Sequence, residues 1–113
     1  MAAPSRSTPH IFVSHSHKDH EFGIRLIHDL RQRLGDEDAV WYDKSGGLRG
    51  GDFWWKKIQK ELKARNVFIV LLSPSANRSR WVKEEIDIAL HYSVTKKMLI
   101  IPVIYRPCPI PMS

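Results

Sequence analysis

Cysteine is nearly absent from this chain. Cys108 stands alone among 113 residues, which rules out an intrachain disulfide and fits a reducing compartment. Long apolar runs are missing too. The longest, Val67 to Leu72, is strand-sized and far short of the ~18 residues that span a bilayer. The first nine residues lack the apolar segment of a signal peptide, so the expected location is the cytoplasm, with no membrane contact. Glycines 46, 47, 50 and 51 follow neither the Walker nor the G-x-G-x-x-G spacing. Ser73 has no G-x-S-x-G around it and is not read as a hydrolase nucleophile. No nucleic-acid motif accompanies the net charge of +6. Its densest stretch, Lys56, Lys57, Lys60, Lys63 and Arg65, reads first as a solvated helix face. Attraction to phosphates is the sharper alternative.

What is present alternates between strand and helix signals. His10 to Ser14 is a short apolar run that predicts a first strand. Asp19 can cap a helix whose apolar stripe is Phe22, Leu26, Leu30 and Leu34, with Ile27 beside it, and Gly35 suits its end. Ala39 to Tyr42 predicts strand two. After the glycine-bearing loop, Asp52 is the expected cap of a helix burying Trp55, Ile58 and Leu62. Val67 to Leu72 predicts strand three, ending in Ser73-Pro74 and a polar loop from Ser75 to Ser79. Ser79 caps a third helix with Val82, Ile86 and Ala89 inward and Leu90 alongside. Lys97 to Ile104 predicts strand four, where Pro102 points to an edge or a bulge.

Apolar strands alternating with amphipathic helices imply an α/β doubly wound parallel sheet covered on both faces. Ligands of such folds bind beyond the carboxyl ends of the strands. Three loops meet there: Ser14 to Asp19, Asp43 to Asp52, and Ser73 to Trp81. The expected division is a flexible lead over residues 1–9, one domain over 10–105 and a proline-rich tail over 106–113.

Two motifs carry candidate chemistry. Trp81 and Glu85 lie one helical turn apart, so the indole shares a face with the carboxylate. His15, His17, Asp19 and His20 fit the H-x-H-x-D-H string of metallo-β-lactamase-like hydrolases, whose metals activate a water. The context opposes that second motif. That fold is much larger than 113 residues, and the later His and Asp ligands have no credible counterpart, since His28 and His91 fall mid-helix. The expectation is therefore no metal site.

Four segments in order resemble a Toll/interleukin-1 receptor (TIR) domain of the kind common in bacterial immune proteins. Ile11-Phe-Val-Ser-His-Ser-His-Lys-Asp19 is similar to the first-strand box, with His15 where tyrosine is usual. Val40-Trp-Tyr-Asp43 with Leu48-Arg-Gly-Gly-Asp52 resembles the second strand and the BB loop. Val67 to Pro74 resembles the third strand. Ser79-Arg-Trp-Val-Lys-Glu-Glu85 resembles the S-x-W-x-x-x-E helix start, and spacing from Trp81 selects Glu85 over Glu84. The resemblance implies a flavodoxin-like sheet, here lacking the family's usual fifth strand and last helix.

It also implies NAD⁺ glycohydrolase activity, with NAD⁺ consumed as a substrate and no cofactor required. Nicotinamide leaves as a neutral group, so the reaction needs no general acid, and one carboxylate can stabilise an oxocarbenium-like transition state. The resemblance assigns that role to Glu85, with Trp81 as a flat surface for a ring. Asp43, Arg49 and Phe53 would hold the rest of the dinucleotide, and Ser14, His15 and Ser16 would close the site. It further implies self-association through the BB loop, Asp43 to Asp52, in immune signalling. The alternative within the family is a non-enzymatic TIR–TIR scaffold; such adaptors often lack the helix glutamate. From the residues alone, blander roles stay open. Trp81 could be a core lid, Glu85 a residue favouring its helix N-terminus, Asp43 a turn former and Arg49 a solvated charge.

Overall fold

A computed structural model describes residues 9–44 and 51–107. Four strands carry the fold: β1 (Ile11–Ser14), β2 (Val40–Tyr42), β3 (Val67–Leu72) and β4 (Leu99–Ile104). Among the described residues four α-helices connect them, α1 (His20–Leu34), α2 (Gly51–Ala64), α3 (Pro74–Arg78) and α4 (Arg80–Thr95), with turns of 3-10 helix at His17–Asp19 and Glu37–Ala39. All strand pairs are parallel and the order is β2-β1-β3-β4. This is the expected α/β, flavodoxin-like arrangement. The order reverses between β1 and β3, so the crevice between their carboxyl ends is the topological switch point.

Side-chain alternation along β1 divides the core in two. Ile11 and Val13 face α1 and pack with Ile27, Val40 and Ile69. Phe12 points the other way and packs with Ile58 and Leu62 of α2, Phe68 of β3, and Val82, Ile86 and Ala89 of α4. Phe12 and Phe68 stack at 5.8 Å between ring centres on this face. Both faces are thus covered by helices, which is why β3 reads as an unbroken apolar run. Of β3, only Val67 escapes full burial.

Several local expectations need correction. The segment expected as a loop, residues 75–79, is mostly the short helix α3. The Ser73 hydroxyl accepts from the Ala76 N–H at 3.0 Å and Pro74 occupies the first turn, so a good cap starts a helix with no apolar period. Asp19 precedes α1, yet its side chain makes no cap hydrogen bond. Its carboxylate instead accepts a hydrogen bond from the Ser73 hydroxyl, across the β1/β3 boundary. Asp52 does not precede α2, because that helix already begins at Gly51, where φ is +82°.

The face of α1 that reaches full burial is Gly23 and Ile27; Phe22, Leu26, Leu30 and Leu34 are half-buried around them. In α2 the core contacts come from Ile58 and Leu62, with Trp55 half-buried. The first and last predicted strands hold, the latter shortened to Leu99–Ile104. Pro102 sits opposite Val70 on β4, the edge of the described sheet, where its missing N–H costs no ladder bond. Gly35 takes the left-handed conformation, φ 69°, at the end of α1, as expected. Most of the lead and tail lies outside the described residues.

Candidate active site

The switch point is built by three chain segments. Ser14 ends β1 with its side chain on the Phe12 face. Ser73 ends β3. Ser79 starts α4, its hydroxyl accepting from the Val82 N–H at 3.2 Å. That cap sets the rotation of α4, so Val82, Glu85, Ile86 and Ala89 are all buried against the sheet. Glu85 is 2% exposed, an extreme position for a carboxylate.

The Ser14 hydroxyl donates to Glu85 Oε1 at 2.6 Å, joining residues 71 positions apart. The other carboxyl oxygen, Oε2, is buried and has no hydrogen bond, and neither has the buried Trp81 Nε1. The indole N–H still lies near enough to favour the charged carboxylate. Burial pushes the Glu85 pKa up to about 8; the Ser14 donor opposes the rise, Asp43 adds to it, and the Trp81 N–H opposes it. The free carboxyl is therefore mostly protonated at neutral pH. A raised carboxyl beside an aromatic wall, with one oxygen unused, can accept a hydrogen bond from an incoming hydroxyl and ionise when a cation arrives.

The remaining expected residues divide between two faces. Asp43 is buried just beyond β2, accepts from Trp54 Nε1 at 3.1 Å, and raises the Glu85 pKa through its charge. Trp81 is half-buried and meets Trp55 edge-on at 5.0 Å. Phe53 is 85% exposed at the start of α2 and is not part of this cluster. Arg49, with the loop at 45–50, lies outside the described residues.

His15 turns away from Glu85. One residue past Ser14, it lies on the α1 side, stacked on His20 at 5.6 Å and tilted against Tyr42 at 5.9 Å. Its ring fills the space over Gly23, where an added Cβ would stand 3.0 Å away. Burial, then the neighbouring His20, lowers its pKa to about 4, so it is a neutral packing residue. Ser16 is buried, and its hydroxyl accepts from the Lys18 N–H at 3.2 Å.

The histidine-rich string does not assemble a metal centre. His15 Nε2 and His20 Nδ1 approach to 3.4 Å, but Asp19 is engaged by Ser73 and His17 is exposed. Among the described residues no three His, Cys, Asp or Glu side chains gather as a ligand set. The metal-hydrolase alternative for His15, His17, Asp19 and His20, set aside on sequence context, gains no ligand set from this geometry. The string runs through a turn of 3-10 helix at His17–Asp19 into α1, and the Asp19–Ser73 bond turns the carboxylate away from the histidines.

Three concavities are found among the described residues, one of them, of about 370 Å³, between α2 and α4 at Gln59, Asp87, Ile88, His91 and Tyr92, away from the strand ends. Another, of about 430 Å³, lies on the α1 face between Ile24, His28, Arg31 and Tyr42, on the opposite side of the sheet from Glu85. The third, of about 330 Å³, opens at the switch point and is lined by Ser16, His17, Lys18, Ser75, Arg78 and Ser79. Sequence reasoning placed Trp55 only on the core face of α2, and missed Trp54, which bonds Asp43, and the cations Lys18 and Arg78 at the switch-point crevice. The Trp54-Trp55 dipeptide was visible, but no spacing rule links it to Asp43 or Trp81.

A doubly wound sheet with a buried acid at its switch point defines a class, and comparison with known proteins narrows it. The sequence profile of the TIR domain matches residues 11–113. The chain belongs to the TIR domain family. It is 32% identical over 94 residues to the NAD(+) hydrolase TcpA of Theionarchaea archaeon, covering 82% of this chain and 27% of that protein. It is 34% identical over 100 residues to the NAD(+) hydrolase PdTIR of Paracoccus denitrificans, covering 87% and 32%. It is 30% identical over 95 residues to the 2′ cyclic ADP-D-ribose synthase BtTIR of Bacteroides thetaiotaomicron, covering 84% and 32%. The chain thus spans about a third or less of the length of these relatives. The crystal structure of the TIR domain of the Toll-related receptor TRR-2 from Hydra magnipapillata has the same fold. It superposes with a TM-score of 0.68 at 23% identity, over 92% of this chain and 76% of that one.

Proposed function

We propose that this chain is a TIR-domain NAD⁺ glycohydrolase whose acting carboxylate is Glu85. The observation that carries the reading is the buried Glu85 carboxyl at the switch point, held by Ser14 with Oε2 left unpartnered. The names of the relatives, NAD(+) hydrolases and a cyclic ADP-ribose synthase, agree with it.

The chemistry follows from the environment. NAD⁺ carries a cationic nicotinamide ring on its ribose. That charge beside Glu85 favours the carboxylate form and offsets the cost of burying it. The nicotinamide–ribose bond then breaks, its electron pair going to the ring nitrogen, and nicotinamide leaves neutral. The carboxylate stabilises the positive charge that develops at the anomeric carbon and accepts from a ribose hydroxyl at Oε2. Water adds at the anomeric carbon and loses a proton, giving ADP-ribose; attack by a hydroxyl of the same molecule gives a cyclic product instead. Trp81, backed by Trp55, supplies the wall against which a ring lies, Asp43 holds the opposite rim, and Ser14 orients the carboxyl. Self-association through residues 43–52 would bring Arg49, and Phe53 at the start of α2, to complete the site in cytoplasmic immune signalling. No cofactor enters this reaction.

The test is release of free nicotinamide from NAD⁺ at low and high protein concentration, with Glu85→Ala in parallel. Release that rises with concentration and vanishes in the variant is expected. A folded sample that releases none even when concentrated points to the second reading, a non-enzymatic TIR–TIR scaffold. That reading is favoured by two separate exposed apolar side chains, Phe53 at the start of α2 and Val94 near the end of α4, 85% and 82% exposed.

A further inference from the structure

The crevice of about 330 Å³ between the ends of β1 and β3 has a chemistry of its own. Its lining holds two cations, Lys18 and Arg78, three hydroxyls, Ser16, Ser75 and Ser79, and the His17 ring, but no carboxylate. The ion pairs of the described residues involve Lys57, Arg65 and Arg80 with Glu61 and Glu84, so neither Lys18 nor Arg78 is neutralised. The one acid nearby in sequence, Asp19, is buried and bonded to Ser73, and does not line the crevice.

The hydroxyls are also poised to donate. Ser16 and Ser79 each accept one backbone N–H, from Lys18 and Val82, so each keeps its own proton free. A concavity that presents donors and positive charge and carries no carboxylate is matched to a multiply charged oxyanion. The two side chains come from separate segments, Lys18 from the turn of 3-10 helix after β1 and Arg78 from the end of α3. They can therefore take separate phosphate groups.

Chain continuity ties the crevice to Glu85. Ser16 lies two residues past Ser14, the donor to Glu85, and Ser79 lies two residues before Trp81. We propose that this crevice binds the diphosphate of a dinucleotide, with Lys18 and Arg78 each pairing one phosphate and Ser16, Ser75 and Ser79 donating hydrogen bonds. This rests on the glycohydrolase reading for the identity of the dinucleotide, but the oxyanion site itself is measurable without turnover.

The experiment titrates the protein with inorganic pyrophosphate, with ADP-ribose and with nicotinamide, which has no phosphate, and measures binding by calorimetry. Lys18→Gln and Arg78→Gln are compared with wild type, and nicotinamide release from NAD⁺ is followed in the same samples. Both side chains are exposed, so these variants should fold as wild type does. Each should weaken pyrophosphate and ADP-ribose about tenfold and leave nicotinamide binding unchanged. Wild-type binding of pyrophosphate should also fall as salt rises. Pyrophosphate binding that depends on both residues, in protein that releases no nicotinamide, upholds the crevice and overturns the glycohydrolase reading. Normal nicotinamide release with KM and pyrophosphate affinity untouched by either substitution overturns the crevice and leaves that reading standing.

Discussion

Replacing Glu85 by glutamine measures what it costs to bury this carboxyl. The folded protein holds its proton up to about pH 8, against an ordinary value of 4.5. Below the ordinary value both folded and unfolded chains are protonated, and the wild type carries no penalty. As pH rises through this window the unfolded chain ionises first, so stability is lost progressively until the folded carboxyl ionises as well. At pH 7 the two values imply a loss of about 3 kcal/mol, approaching about 5 kcal/mol above pH 8, both order-of-magnitude. Glutamine copies the neutral acid: its oxygen still accepts from Ser14, and its amide leaves a polar group at Oε2 much as the protonated acid does. Thermal unfolding followed by circular dichroism at pH 5, 7 and 8.5 reads the difference. The variant should melt above wild type by roughly 10 °C at pH 7, by more at pH 8.5, and by little at pH 5. A gap that does not change with pH, or a wild type that outlasts the variant at pH 8.5, would refute the argument from burial.

Ser14→Ala removes the hydrogen bond that favours the ionised carboxyl. The Glu85 pKa should climb further, and the rising limb of the pH–rate profile for nicotinamide release should move to higher pH. A profile that only scales down would mean Ser14 does not act through Glu85. Ser73→Ala strips the cap of α3 and leaves the buried Asp19 carboxylate without its donor; urea unfolding should show a loss of about 2–4 kcal/mol. Ile58→Ala opens a cavity under α2, where Ile58 is 0% exposed, and should cost about 2–5 kcal/mol. Phe53→Ala, at the exposed start of the same helix, should change stability by less than about 0.5 kcal/mol in the same assay. If Phe53 lies in a self-association surface, its loss should appear in light scattering instead.

Much of the fold was legible in local pattern. β3 stands out because a strand buried on both faces must be apolar throughout. The inward face of α4 and its Ser79 cap follow from i,i+3 and i,i+4 spacing and from one hydroxyl at the helix start. α3 was not legible, since five residues of Pro-Ser-Ala-Asn-Arg show no apolar period. The role of Asp19 was misread for a different reason. A local cap and a bond to Ser73 compete for the same carboxylate, and the Ser73 bond wins once β1 and β3 are paired.

The candidate site divides along the same line. Trp81 and Glu85 are neighbours in the sequence itself, because a helix puts residues four apart on one face. That Glu85 points into the core, meets Ser14 from 71 residues away and carries a raised pKa was decided by tertiary structure alone. So was the parting of Ser14 from His15, adjacent in the chain and on opposite faces of the sheet. The sequence by itself determined the order of the strands and of the three long helices, and the residues able to do chemistry, because periodicity and capping act within a few residues. Which of them share an environment depended on the parallel register of β1 with β3 and on the burial it imposes, since desolvation and hydrogen bonding are set by groups distant along the chain.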